Sequence, residues 1–265
     1  MEAHIHRDLC FVLKVTPFRE RDVIATLFSE QKGKFSAIAR NAVQSRRFGG
    51  SLNLFTASDF EINTQSIRMS ETSEDRLVSI LSATVRHSIS ELKAFERLSA
   101  ASCLNELLMK GIPQHKPAPE LFKLYSNCLF ALEERAPELS IAIVNAFILK
   151  LTQWLGVQPS LTRCIACEKA LSEIQGETVY PQVMKGAWIC QECFPEKIGA
   201  GLSKTTILDA YHSMLQPIRK IEFQATHPDH EGLLQFLEKH LLYFVPGLDQ
   251  APLSSTRFLY SGLTE

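Results

Sequence analysis

The sequence predicts an α+β protein in which a small closed β-barrel over residues 1–78 is followed, over 79–265, by an all-helical domain with a hairpin inserted at 157–200. Three observations predict it. The first 70 residues fall into short runs rich in β-branched and aromatic residues, punctuated by Gly33 and Gly49-Gly50. Beyond Thr72 the apolar period lengthens to about 3.6. Four cysteines then fall as two Cys-x-x-Cys pairs, Cys164/Cys167 and Cys190/Cys193.

The expected strands are Cys10–Val15, Asp22–Phe28, Lys34–Ala39 and Leu52–Phe55 running on to Ile62. Four or five strands in so short a segment, with no helix long enough for a βαβ crossover, favour a barrel of OB type. An open sheet of this size would expose its edges. In the second half, Val85, Ile89, Leu92, Phe95 and Leu98 form one helical stripe continuing to Leu108, with Gly111 and Pro113 as stop signals. Pro119 opens a second helix with the stripe Phe122, Tyr125, Leu129 and Leu132. A third runs from near Pro137 to a cap at Gly156 and is apolar on most sides, as a central helix should be. Two more follow, one behind an N-cap at Ser203 and one from Asp229 to Phe244, stopped by Pro246.

The cysteine spacing is that of a metal site. Two residues between cysteines let both sulfurs of a tight turn face one ion, and two such turns supply four thiolates to a tetrahedral zinc. The intervening chain reads as a hairpin, with Thr178–Pro181 and Ala187–Cys190 as strands and Gly176 and Gly186 as turns. The competing reading is two disulfides. Seven cysteines are an odd number, and the opening residues carry no apolar signal region, which points to a reducing cytoplasm. Four thiolates leave no coordination position for water, so the expected zinc is structural, one per chain. Its hairpin is expected to clamp the exit of the third helix to the entry of the fourth.

With 265 residues, 45% of them apolar, the chain can fill substantial cores, and its net charge of −1 argues against coating nucleic acid with the whole surface. The longest apolar run, Ile141–Leu149, is too short to cross a bilayer. Charge is uneven, however: from Gln31 to Gly50 there are five basic residues, Lys32, Lys34, Arg40, Arg46 and Arg47, and no acidic one. In a loop, Arg46, Arg47 and Phe48 would reach solvent and suit phosphates and a stacked base. The equally weighted alternative is solvated charges and a Phe48 core plug.

Other candidate chemistry is weaker. His227 and His230 read as solvated residues around an Asp229 cap rather than ligands, and Glu133-Glu134 as a helix end. Cys10, Cys103 and Cys128 read as buried apolar residues. The sequence carries no phosphate-binding loop, dinucleotide fingerprint, nucleophile elbow or His-Glu-x-x-His motif, so a binding protein is expected over an enzyme, with no small-molecule substrate.

Several segments, in order, resemble a known family, the bacterial DNA repair protein RecO. They are Asp22–Glu30 with Gly33–Arg40, Arg47–Phe55, Phe147–Leu151 with Gly156, Pro159–Leu161 with Cys164–Cys167, and Ser255–Leu259. The resemblance implies an N-terminal OB-fold, a helical domain and a zinc ribbon. It also implies a non-enzymatic recombination mediator that binds single- and double-stranded DNA and anneals complementary strands without ATP. Implied partners are RecR, single-strand binding protein and, indirectly, RecA; no membrane is involved. Within that frame the expected DNA contacts are Lys32, Lys34, Arg40, Arg46, Arg47 and Phe48. The alternative is an RNA-associated OB and zinc-ribbon binding protein.

Overall fold

The computed structural model describes residues 5–68, 76–89, 92, 94–196, 199–222, 229–249 and 253–260. Two compact units emerge: residues 1–91 with 112–123, and residues 92–111 with 124–265.

The first unit is the barrel. Its strands are β1 (Ile5–Phe18), β2 (Asp22–Ser29), β3 (Gly33–Ala39), β4 (Thr56–Arg68) and β5 (Arg76–Ser88), closing in the order β1-β2-β3-β5-β4 with β4 back against β1. All pairings are antiparallel except a short parallel one, residues 37–39 of β3 against 78–80 of β5, which closes the ring and removes both edges. Alternate residues point inward, so Cys10, Val12, Ala25, Leu27, Phe35, Ala37, Phe60, Ile62 and Ile80 fill the interior.

Three expectations for this region are corrected. Val85 and Ile89 do not open a helix: β5 runs through Val85, and the first helix begins at Phe95. Val85 and Ile89 are four apart, a spacing that in a sequence fits a regular strand as well as a helix. The expected domain boundary at 78 therefore falls inside β5. Leu52–Phe55 is not a strand either. Ser51 N–H to Phe48 O (2.6 Å), Asn53 N–H to Gly50 O (3.1 Å) and Thr56 N–H to Asn53 O (3.4 Å) fold it into successive tight turns, and Phe55 has φ +62°.

Residues 112–123 belong to the barrel unit although far from it in sequence. His115 N–H donates to Lys34 O (2.8 Å), and a Cβ on Gly33 would lie 1.9 Å from Lys116 O, so only glycine permits this approach. Phe122 packs at 5.3 Å and 5.8 Å from the rings of Phe11 and Phe28, on the face of the sheet turned away from the barrel interior.

The second unit is helical: α1 (Phe95–Gly111), the part of α2 (Pro119–Glu134) from Leu124 onward, α3 (Ser140–Leu155), α4 (Lys204–Leu215) and α5 (His230–Phe244). α3 is the hub, packed by α1, α4 and α5 and buried from Ala142 through Leu149. With its preceding turn it is 19 residues long and apolar enough to cross a bilayer, but it serves as the core of a globular unit. The expected caps form. Gly156 adopts φ +76°, Ser203 Oγ accepts Thr206 N–H (3.1 Å), and Asp229 Oδ1 accepts Gly232 N–H (2.7 Å). Glu133-Glu134 sits at the C-terminal end of α2, while His227 lies outside the described residues. The chain's final described segment is clasped by two carboxylates: Glu106 accepts the amides of Ser254 (3.0 Å) and Ser255 (2.8 Å), and Glu238 accepts Thr256 Oγ1–H (2.7 Å) and Tyr260 O–H (2.9 Å). Backbone and side-chain donors, with Lys110, hold Glu106 at about 2 despite the opposing cost of burial.

Candidate metal centre and nucleic-acid interface

Between α3 and α4 the chain forms the expected hairpin, β6 (Thr178–Gln182) against β7 (Ala187–Cys190), with Val179 opposite Cys190 and Pro181 opposite Trp188. β6 also pairs with β8 (Leu202–Ser203), which runs directly into α4. On the other side, Ser160 N–H donates to Gly186 O (2.7 Å) and Trp188 Nε1–H to Leu161 O (3.0 Å), tying the chain that leaves α3 to the same hairpin. Both helix ends are thus fastened to one small sheet.

At the open end of that sheet the Sγ atoms of Cys164, Cys167, Cys190 and Cys193 all lie within 4.8 Å of one another. Cys167 and Cys190 are 3.9 Å apart, far beyond the roughly 2.05 Å of a disulfide. Four sulfurs at about 2.3 Å from a tetrahedral ion would be about 3.8 Å apart, so the spacing fits one metal with a closed shell. Electrostatics agree with that demand. Burial raises the Cys164 thiol, but the amides of Cys167, Cys190 and Ala166 pointing at its sulfur outweigh it and bring it down to about 6. Crowding by the sulfurs of Cys190 and Cys167 pushes Cys193 up to about 12. Four thiolates in this space repel one another unless a cation sits among them. By contrast Cys10, Cys103 and Cys128 are buried singly, Cys10 beside Asp8 and Ser29 and Cys103 beside Ser255.

The basic segment is divided by the fold. Ser29 pairs with Gly33 at one end of the β2–β3 hairpin and Val23 with Ala39 at the other, six residues or about 20 Å away. Lys32 and Lys34 therefore stand at one end of the barrel, and Arg40, Arg46 and Arg47 at the other.

Lys34 is only 4% exposed, covered by residues 112–118, and burial lowers its ammonium to about 8. Phe48 is 3% exposed and belongs to the barrel core. Neither side chain is presented to a nucleic acid, which corrects both expectations. The Gly49-Gly50 bend lets the loop turn Phe48 inward, so the core plug is the correct alternative. Lys32 is half-buried, its Nζ 5.9 Å from the Phe35 ring.

Arg40 and Arg46 are exposed. Arg47 is exposed as well but braces the loop: its guanidinium donates to Ser45 Oγ (3.0 Å), Leu81 O (3.3 Å) and Arg40 O (3.3 Å) and lies 5.5 Å from the Phe48 ring. Two arginines missed by sequence reasoning join this end. Val43 N–H donates to Arg21 O (3.3 Å) and Asn41 N–H to Asp22 Oδ1 (2.8 Å), which bring the β1–β2 turn, with Arg19 and Arg21, beside the loop. Their only signal was Arg-Glu-Arg-Asp at 19–22, which reads as neutral because its charges alternate. Five arginines against Glu20 and Asp22 leave this end of the barrel clearly positive, as phosphate binding requires.

Residues 1–81 match the family described as "Recombination protein O N terminal", and residues 92–247 match "Recombination protein O C terminal". The chain belongs to the RecO family. The two matched regions correspond to the barrel and to the helices with their four-cysteine hairpin. Among RecO relatives, "DNA repair protein RecO" of Syntrophus aciditrophicus (strain SB) is 28% identical over 247 residues, covering 89% of this chain and 91% of its own. The protein of the same name from Anaeromyxobacter sp. (strain K) is 31% identical over 186 residues, 69% and 68% of the two chains. That of Symbiobacterium thermophilum is 30% identical over 193 residues, 71% of each.

Proposed function

We propose that this RecO-family chain acts in DNA repair as a non-enzymatic recombination mediator that grips DNA, single- or double-stranded, at the arginine end of its barrel. The observation that carries the contact is the convergence of Arg19, Arg21, Arg40, Arg46 and Arg47 on one end of an OB-type barrel. Guanidinium groups neutralise phosphates and carry little sequence information, as a protein that must accept any broken chromosome requires. Lys32 lies at the far end and is at most a peripheral contact. Annealing needs no catalytic group: holding two strands close suffices, and base pairing supplies the free energy.

The four-cysteine site takes zinc, which suits four thiolates in tetrahedral array and has no redox chemistry to disturb them. Bound there, it holds Cys164, Cys167, Cys190 and Cys193 together and thereby the hairpin that joins α3 to α4. It performs no chemistry on DNA. By the family resemblance the partners are RecR, single-strand binding protein and, through them, RecA, in the bacterial cytoplasm.

The test is strand annealing on DNA precoated with single-strand binding protein, with and without RecR, supplemented by competition between single-stranded DNA and RNA of one sequence. Annealing that depends on the arginine end supports the proposal. Preference for RNA, or no annealing under any condition, sinks it.

A further inference from the structure

The arginine end of the barrel carries apolar side chains that phosphate binding alone does not explain. The barrel unit holds no tyrosine or tryptophan, and its phenylalanines other than Phe18 are all buried. Phe18 is half-buried and stands at the end of β1, opposite Asp22, where the turn carrying Arg19 and Arg21 begins. The Arg19 guanidinium lies 5.2 Å from the Phe18 ring centre. The bond from Val43 N–H to Arg21 O joins this turn to the next loop, and the Val43 side chain is left 66% exposed. An aromatic ring and an aliphatic side chain thus stand among Arg19, Arg21, Arg40, Arg46 and Arg47, none of which makes an ion pair with a described residue. Glu20 and Asp22 offset two of these five charges, and Asp22 is engaged by Asn41 N–H.

Charge and apolar surface side by side discriminate between forms of DNA. A duplex turns its bases inward and presents phosphate and sugar, which gain nothing from an open valine or phenyl ring. An unpaired strand presents phosphates next to base faces, and a base stacks on an aromatic ring or a guanidinium plane. Arg19 is exposed, so its guanidinium can leave the ring for a phosphate and give its place over Phe18 to a base.

We propose that the arginine end selects single-stranded DNA over duplex, with one base stacked on the Phe18 ring and a neighbouring base or sugar against Val43. This rests on the grip proposed above and adds the two side chains that make it strand-selective. An anionic lipid surface also pairs charge with apolar contact, but one half-buried ring and one valine are far less apolar area than membrane anchoring takes.

The test uses the whole protein and three fluorescein-labelled probes read by anisotropy at one salt concentration: a short oligothymidine, the same backbone without bases, and a duplex of equal length. The oligothymidine should bind tightest. Phe18→Leu keeps apolar bulk but removes the π face; it should weaken oligothymidine binding roughly 5- to 100-fold and leave the abasic strand, the duplex and the melting midpoint unchanged. Phe18→Trp should restore the affinity, and oligothymidine, but not the abasic strand, should quench its fluorescence. Val43→Ser, at an exposed position, should weaken oligothymidine severalfold at unchanged midpoint. Equal binding of oligothymidine and abasic strand, indifference to Phe18→Leu, or an unquenched Phe18→Trp would overturn the proposal. Arg46→Ala separates this outcome from failure of the grip itself: if it weakens all three probes while Phe18→Leu weakens none, the grip stands and the stack falls, and if no probe depends on Arg46, both fall. Sedimentation with phosphatidylglycerol vesicles that Phe18→Leu abolishes, with oligothymidine binding untouched, would give the patch to lipid and overturn the proposal as well.

Discussion

Arg46 and Arg47 are neighbours in sequence, but the structure gives them different tasks, and substituting each alone separates DNA contact from fold. Arg47 makes hydrogen bonds to Ser45 Oγ, Leu81 O and Arg40 O. On an exposed side chain each bond contributes on the order of 0.5 kcal/mol, the low end of the usual range, so Arg47→Ala should cost about 1–2 kcal/mol. For a unit of this size that is a fall of roughly 5–10 °C in the barrel's melting midpoint. Arg46 has no such brace among the described residues, and Arg46→Ala should stay within about 0.5 kcal/mol. On DNA the ranking differs. If the five arginines each neutralise a phosphate on a single strand, log affinity against log salt has a slope of about −0.7 × 5, or −3.5, a loss of roughly a hundredfold between about 50 and 200 mM salt. Arg46→Ala should bring the slope to about −2.8 at unchanged midpoint. Anisotropy of a labelled oligonucleotide at several salt concentrations, alongside calorimetry, reads both quantities. An unchanged slope in Arg46→Ala, or an unchanged midpoint in Arg47→Ala, would refute this division of labour.

Three further outcomes are expected. Phe48→Ala should cost about 3–5 kcal/mol of folding stability, measured by denaturant titration, because it empties a position in the barrel core; a normal midpoint with weakened DNA binding would return the ring to the interface. Metal analysis should find one zinc per chain, and Cys190→Ser should lose it and lower solubility or the midpoint before it affects DNA affinity; an intact protein with two disulfides and no metal would dispose of the site. His240 is buried, and burial lowers its pKa below the ordinary 6.5 although Nε2 lies 2.6 Å from Val157 O. The unfolded chain therefore takes up a proton before the folded one does. Stability should be unaffected by this group above about pH 6.5 and fall as the pH drops below it; His240→Gln should flatten that fall in melting curves, and an identical pH profile would remove His240 as its source.

The sequence made the helical half legible because its signals were local. Ser203, Asp229, Gly156 and Pro119 cap or open helices through bonds to residues a few positions away, and all four do so in the structure. The cysteine pairs were legible for the same reason, since each tight turn places two sulfurs without outside help. What failed was non-local or ambiguous. The spacing of Val85 and Ile89 satisfies a strand and a helix equally, and only the pairing of β5 with β4, where Val85 stands opposite Ser58, decides for the strand. Nothing near residue 116 advertises contact with Gly33, although that contact buries Lys34.

The proposed nucleic-acid interface shows the limit most sharply. Counting charge along 31–50 grouped two lysines with three arginines, but a hairpin sends the two ends of such a segment in opposite directions. The strand spacing alone, about 20 Å, exceeds the Debye length of roughly 8 Å at physiological salt, so the lysine end and the arginine end act as separate fields. The same hairpin folds residues 19–22 against residues 41–43, adding two arginines from a stretch that looked electrically neutral. Net positive charge at a barrel end is thus a property of strand register, and a shift of one residue between β2 and β3 would rearrange it along with the core. The register is held by alternation: Ala25, Leu27, Phe35, Ala37 and Ala39 point inward, and a slip would turn them to solvent. The residues that fix the arginine cluster are therefore mostly buried and apolar, and substituting them should disturb DNA binding and folding together, whereas Arg46 stands as the position where the two can be pulled apart.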